Sequence, residues 1–210
     1  MRNDVAALCV EPGGHYPQLV ADWYDLERDA RTFTGGKPVV AHPPCGPWGR
    51  LWKQCTKQDK SLGPWCVKQV QRCGGVLEHP AHSKLFKACG LPEPGQFPDE
   101  YCGQTFLTWL SAFDAPVAKP TWLYVVGLDV FPRLPSKQTA TTTVDRLHSR
   151  TRQLTPRLMA EFLIELAATT KVKFDEHKTQ NQKTSQEEPK KTRERQTFGD
   201  APNAADKTTH

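Results

Sequence analysis

Short apolar runs punctuated by Gly and Pro alternate with stretches of helical periodicity along the first 170 residues of this chain. Val5 to Val10 reads as a strand, broken sharply by Glu11-Pro12-Gly13-Gly14. Asp22 to Leu26 reads as a second short strand, and Lys37 to His42 as a buried one, Pro-Val-Val-Ala, that stops at Pro43-Pro44. Leu62 to Cys73 predicts a helix with Trp65, Val67 and Val70 at apolar positions and Gly74-Gly75 as its stop. Gly75 to Glu78 then starts another strand, and Thr121 to Gly127, Trp-Leu-Tyr-Val-Val, is the strongest strand signal in the chain. Leu154 to Thr169 predicts a helix, with Thr155 as N-cap, Pro156 at N1, and an apolar stripe of Leu158, Phe162, Leu163 and Leu166. Strands separated by helices predict an α/β domain over residues 1–170, built on a mainly parallel sheet with flanking helices.

Composition changes from about Lys171, and residues 171–210 read as a polar tail. From Lys178 onward it holds Lys, Glu, Gln, Thr and Asn with almost no large apolar residues. Such a segment cannot bury enough surface to offset its ordering entropy, which predicts disorder. Lys190, Lys191, Arg193 and Arg195 would make it a weak nucleic-acid arm, although interspersed glutamates work against that. The formal net charge of +5 is compatible with a polyanionic partner. No apolar run reaches the roughly 18 residues of a membrane helix, and Met1-Arg2-Asn3-Asp4 does not begin a signal peptide. A soluble, cytoplasmic protein without a membrane partner is expected. The seven cysteines are odd in number and none is spaced C-x-x-C, so free thiols are expected and no metal.

In open parallel sheets ligands bind outside the carboxyl ends of the strands. Two strand ends here carry reactive groups: Val39-Val40-Ala41-His42-Pro43-Pro44-Cys45 and Gly75-Val76-Leu77-Glu78-His79-Pro80. The prolines fix φ and remove donors, so each loop is stiff enough to hold a nucleophile in place. Cys45 is the candidate nucleophile, acting as its thiolate, and Glu78 a positioned acid or hydrogen-bond donor. Cys9, Cys66, Cys73 and Cys89 lack such a setting and read as packing residues. Trp48, Trp52 and Trp65 cluster near the Cys45 loop and either pack in the core or stack on a base. Arg50 and Lys53 are candidate phosphate contacts. His42, His79 and His82 lie beside the two mouths, as proton carriers or as structural histidines.

Pro-Pro-Cys after a strand, followed by an apolar strand ending in Glu and then Pro, resembles the cytosine-5 DNA methyltransferases. Pro44-Cys45 matches that family's Pro-Cys loop, and Leu77-Glu78-His79-Pro80 its Glu-Asn-Val segment. Lys119-Pro120 through Gly127 occupies the place of the family's Gln-x-Arg-x-Arg strand, with Lys119 as the nearest cation where the family has arginines. The helix after Thr155-Pro156 is similar to the family's closing helix. The resemblance spans about residues 37–168, and the whole chain is also similar to small phage proteins carrying His-Pro-Pro-Cys and Leu-Glu-His-Pro. It implies a Rossmann-like methyltransferase fold acting on DNA in which Cys45 adds to C6 of a pyrimidine, Glu78 hydrogen-bonds N3, and S-adenosylmethionine donates a methyl group to C5. On duplex DNA the base would have to be flipped out. The cofactor would be held by Glu11, Gly13, Gly14, Asp25 and Pro43, where Glu11-Pro12-Gly13-Gly14 replaces the family's Phe-x-Gly-x-Gly loop and the helix that follows is shortened or missing. Only a short segment separates Gly127 from Arg152, in place of the family's large target-recognition domain. Two other readings stand beside this one. One is an amino-methyltransferase, whose Asp/Asn-Pro-Pro-aromatic loop His42 and Cys45 match poorly. The other is a degenerate methyltransferase fold that binds nucleic acid or a host protein without catalysis.

Overall fold

The computed structural model describes residues 1–49, 52–55, 58–147 and 154–171. The polar tail beyond Lys171, with its basic residues, and Arg50 lie outside the described residues. Six strands form one sheet: β1 (Arg2–Leu8), β2 (Val20–Tyr24), β3 (Val39–Ala41), β4 (Gly75–Pro80), β5 (Gln104–Trp109) and β6 (Pro120–Val126). Their order is β2-β1-β3-β4-β6-β5. The β1–β2, β1–β3 and β3–β4 pairs are parallel, while β6 is antiparallel to both β4 and β5. β5 therefore runs the same way as β1 to β4, and β6 alone is reversed. The sheet is mostly parallel, as the alternation of elements predicts.

Side chains alternate across the sheet with the strand period of two, so each face buries its own set. Val5, Ala7, Val40, Val76, Leu123 and Val125 pack on one face against α4 (Arg157–Thr169), through Met159, Ala160, Leu163 and Ala167. Ala6, Leu8, Val39, Ala41, Leu77 and Tyr124 pack on the other face, against α2 (Leu62–Cys73) and α3 (Lys84–Cys89), through Cys66, Val67, Val70, Leu85 and Phe86. Each such large apolar side chain contributes on the order of 1.5–3 kcal/mol when fully buried. The layers are thus helix, sheet, helix. No described helix is long and apolar enough to cross a membrane.

Several boundaries differ from the sequence pattern. α4 begins at Arg157 with Pro156 as its N-cap, and Thr155 makes no capping bond. Pro156 is extended (φ −56°, ψ 145°), and its carbonyl accepts the Ala160 N–H, so the helix starts one residue later than a Thr155 cap requires. The register of the stripe shifts with it: Met159, Leu163 and Leu166 are buried, while Leu158 is 47% exposed. β2 begins at Val20 rather than Asp22, directly after α1 (Tyr16–Leu19), a single turn.

The chain leaves β1 outward to β2 and returns to β3 on the other side of β1. This reversal is a switch point, which opens a crevice at the carboxyl ends of β1 and β3. His42 and Cys45 follow β3 into that region, and Glu78 lies near the end of β4 beside it.

Candidate functional site at the strand tips

β3 ends where its apolar residues give way to His42-Pro43-Pro44. The His42 N–H still donates to the Leu8 carbonyl at 3.0 Å, and the two prolines then offer no donor. Cys45 caps a single 3-10 turn, Gly46–Trp48, and its carbonyl accepts from the Trp48 N–H at 3.1 Å. Trp48 is buried in the core and anchors this turn. Gly46 is needed for a close approach: a Cβ there would come within 2.8 Å of the Cys55 sulfur, so the following segment folds back beside Cys45.

Leu77 pairs with Ala41 across β3–β4, which sets Glu78 beside His42 on the α4 face of the sheet. His42 Nδ1 lies 2.9 Å from Glu78 Oε2, and His42 Nε2 lies 2.6 Å from Tyr16 Oη. Burial, and the nearby Glu78 charge, push the Tyr16 pKa well up, so Tyr16 keeps its proton. Its hydroxyl then donates to Nε2 and the Nδ1–H donates to Glu78, a chain satisfied end to end. Burial alone would raise the Glu78 pKa, but the His42 hydrogen bond, together with the Lys119 charge, outweighs it and holds the carboxyl below its ordinary value. Glu78 is a carboxylate at neutral pH.

Cys45 is exposed at this rim. Burial raises the thiol pKa, Lys119 pulls it back, and Glu78 and Cys55 push it up again, leaving a net rise. Cys45 therefore carries its proton at neutral pH and would need a base to act as a nucleophile. Parallel β3 and β4 end at this rim and the reversed β6 begins there, so Cys45, Glu78 and Lys119 share it. Lys119 stands immediately before β6, whose antiparallel pairing brings its first residues to the end of β4, where the Ala81 N–H donates to the Pro120 carbonyl. Beside Lys119 opens a largely apolar cleft of about 330 Å³, lined by His15, Leu110, Phe113, Val117 and Pro156 among others. That volume is at the small end of the range for ligand sites.

The residues expected to hold the cofactor follow the ends of β1, β2 and β3. Glu11, Gly13 and Gly14 form a turn after β1, in which the Gly14 N–H donates to the Glu11 carbonyl at 3.0 Å and Gly13 has φ +76°. Pro43 is buried at the end of β3, across the switch-point crevice. Asp25 lies just after β2, and its Oδ1 accepts from the Glu27 and Arg28 N–H groups. Its Oδ2 has no hydrogen bond among the described residues and remains open to a hydroxyl. The glycine turn and this carboxylate oxygen sit at the ends of the neighbouring strands β1 and β2, and none of these five residues lines the 330 Å³ cleft. Among the described residues no three His, Cys, Asp or Glu side chains group as metal ligands.

His79, one residue past Glu78, points to the opposite face. It is buried, and neither ring nitrogen has a hydrogen-bond partner among the described residues. Burial drives its pKa down to about 4. The unfolded chain takes up this proton near pH 6.5 and the folded chain refuses it until about pH 4, so stability falls as the pH drops between those values. Urea unfolding should show about 2 kcal/mol less stability at pH 5 than at pH 7 from this group. His79→Leu should flatten that limb, whatever it does to absolute stability. A wild-type stability that does not change over this range would refute the assignment. Glu78 contributes only below about pH 4.5, so the windows separate.

His82 is exposed and packs edge-on to Trp122, with ring centroids 4.9 Å apart. Trp48 is core, Trp65 is packed against it, and Trp52 is exposed. Tyr16 had no signal in the sequence. It follows the Gly-Gly turn in a one-turn helix and meets His42 only through the fold. The chain matches no protein-family profile, no curated protein and no solved structure.

Proposed function

We propose that the protein is a cytosine-5 methyltransferase-like enzyme acting on DNA, with Cys45 as nucleophile and Glu78 as the acid–base partner. The observation that carries this reading is the topology: β3 and β4 end, and the reversed β6 begins, at one rim of the sheet, which brings a thiol, a carboxylate and an ammonium to that rim. Cys45 Sγ forms a bond to C6 of the pyrimidine as its proton passes to the Glu78 carboxylate. Glu78 delivers that proton to N3, and the C5–C6 π pair moves into the ring, which makes C5 nucleophilic. Lys119 steadies the negative charge that develops on sulfur and ring. Tyr16 and His42 hold the Glu78 carboxylate in position. S-adenosylmethionine, when bound against Glu11, Gly13, Gly14, Asp25 and Pro43, supplies the methyl group. Loss of the C5 proton to solvent then restores the double bond, the Sγ–C6 bond breaks, and the N3 proton returns through Glu78 to the thiolate.

A 5-fluorocytosine duplex tests this, because fluorine at C5 cannot leave as a proton and traps the covalent complex. With labelled S-adenosylmethionine, the wild-type protein should give a denaturant-stable protein–DNA adduct, and Cys45→Ser none. An adduct that persists in Cys45→Ser, or none from the wild type, defeats the proposal. The single turn of α1 after Gly13-Gly14 favours one rival, a binding module that has lost catalysis, because so short a helix adds little to a cofactor site. DNA binding without any adduct would select that rival.

A further inference from the structure

A second feature lies next to the Cys45 loop and has no part in the chemistry above. Trp52 opens a 3-10 turn, Trp52–Gln54, and is 39% exposed. Three ammonium groups surround its ring: Lys60 Nζ and Lys84 Nζ each lie 5.3 Å from the centroid and Lys53 Nζ 5.8 Å. Lys60 Nζ also lies 4.7 Å from the buried Trp48 ring. These lysines come from three places in the chain, and Lys84 is the first residue of α3, just after β4. None of the three pairs with an acidic side chain among the described residues. Each ammonium lies within cation–π range of the indole, a contact of only about 0.5–1 kcal/mol at an exposed site, so a stacked base can take its place. A single strand offers both replacements: a flat ring for the indole and phosphates for the displaced ammonium groups. Cys55, in the same segment, packs on Gly46 beside Cys45, so the patch borders the proposed reaction centre.

We propose that Trp52, ringed by Lys53, Lys60 and Lys84, is the platform on which the protein binds unpaired DNA, stacking a base on the indole and holding flanking phosphates with the lysines. Duplex DNA hides its base faces and offers only phosphates here, so single strands are preferred. Base stacking on an aromatic side chain is sequence-tolerant, and the lysine contacts make binding salt-dependent. The choice of DNA rests on the proposed function. The stacking and the charge do not.

Anisotropy of a labelled 20-nucleotide DNA tests this, measured as a single strand and as a duplex, against salt. The single strand should bind more tightly than the duplex. Trp52→Ala should weaken single-strand binding about 5- to 100-fold, and Trp52→Phe should retain most of it. The Lys60→Gln/Lys84→Gln pair should reduce the salt slope by roughly 0.7 per lysine removed. Thermal unfolding confirms that these surface variants fold. Equal affinity for duplex and single strand, or wild-type affinity and slope in the variants, overturns the platform. If the patch variants bind normally while the Cys45-dependent adduct still forms, the platform alone fails. If binding depends on the patch and no adduct ever forms, the catalytic reading alone fails.

Discussion

Exchanging Glu78 for Gln should slow adduct formation on the 5-fluorocytosine duplex by about 10²–10⁴-fold, the usual contribution of a positioned acid–base group. Gln has the same shape, and its oxygen still accepts from the His42 Nδ1–H at the place now held by Oε2, 2.9 Å away. The fold and the Tyr16–His42 contact should survive, so thermal unfolding should change little. What disappears is the carboxylate that, in the proposed mechanism, takes the Cys45 proton and passes it to N3. A second readout moves in the opposite direction. The Glu78 charge helps raise the Cys45 pKa, so its removal should make Cys45 more reactive toward iodoacetamide at neutral pH. A variant with a faster-alkylating thiol and a slower adduct isolates the proton-transfer role. Adduct formation within about 10-fold of wild type would remove Glu78 from the mechanism.

Gly75→Ala should cost about 3–5 kcal/mol, at the upper end for a point substitution and comparable with much of the stability of a small domain. Gly75 opens β4 opposite Val39 with φ +112°, a conformation side chains rarely adopt. A Cβ there would lie 2.5 Å from the Val39 nitrogen and closer still to its carbonyl oxygen. Both atoms belong to the β3 backbone, so no side chain can turn aside and the two strands must separate. Gly90→Ala is the control: φ is +66°, but nothing lies within 4 Å of the added atom, so only the conformational cost of about 1 kcal/mol applies. Urea midpoints compare the two. Equal losses would mean that β3 and β4 yield easily at this point. Because these strands carry Cys45 and Glu78, adduct formation should fall with the pairing.

What could be read from the sequence follows the range of the interactions concerned. α2 was legible to the residue, because its apolar spacing and Gly74-Gly75 stop are local. Cys45 and Glu78 stood out because proline-bounded strand ends mark themselves. β6 was legible as a strand but its direction was not, since an apolar run encodes burial and not polarity of travel. β5 was not legible at all: Gln104-Thr105-Phe106-Leu107-Thr108-Trp109 lies at the sheet edge, with Thr105 and Thr108 buried and Leu107 43% exposed. The Tyr16–His42–Glu78 chain joins residues 26 and 36 positions apart. Only the completed sheet brings them together.

The reversed strand has a further bearing on how this rim of the sheet is assembled. Cys45 is tied to a parallel strand whose chain must cross a whole helical layer before it rejoins the sheet at Glu78. Lys119 instead arrives on a hairpin arm that doubles straight back along its neighbour. Leu110, Phe113 and Val117 fix that connector in the core, but the exposed Asp114 between them can change its charge without sliding β3 against β4. The polarity of the rim beside Lys119 can thus be altered at one surface position, with thiol and carboxylate left where they stand.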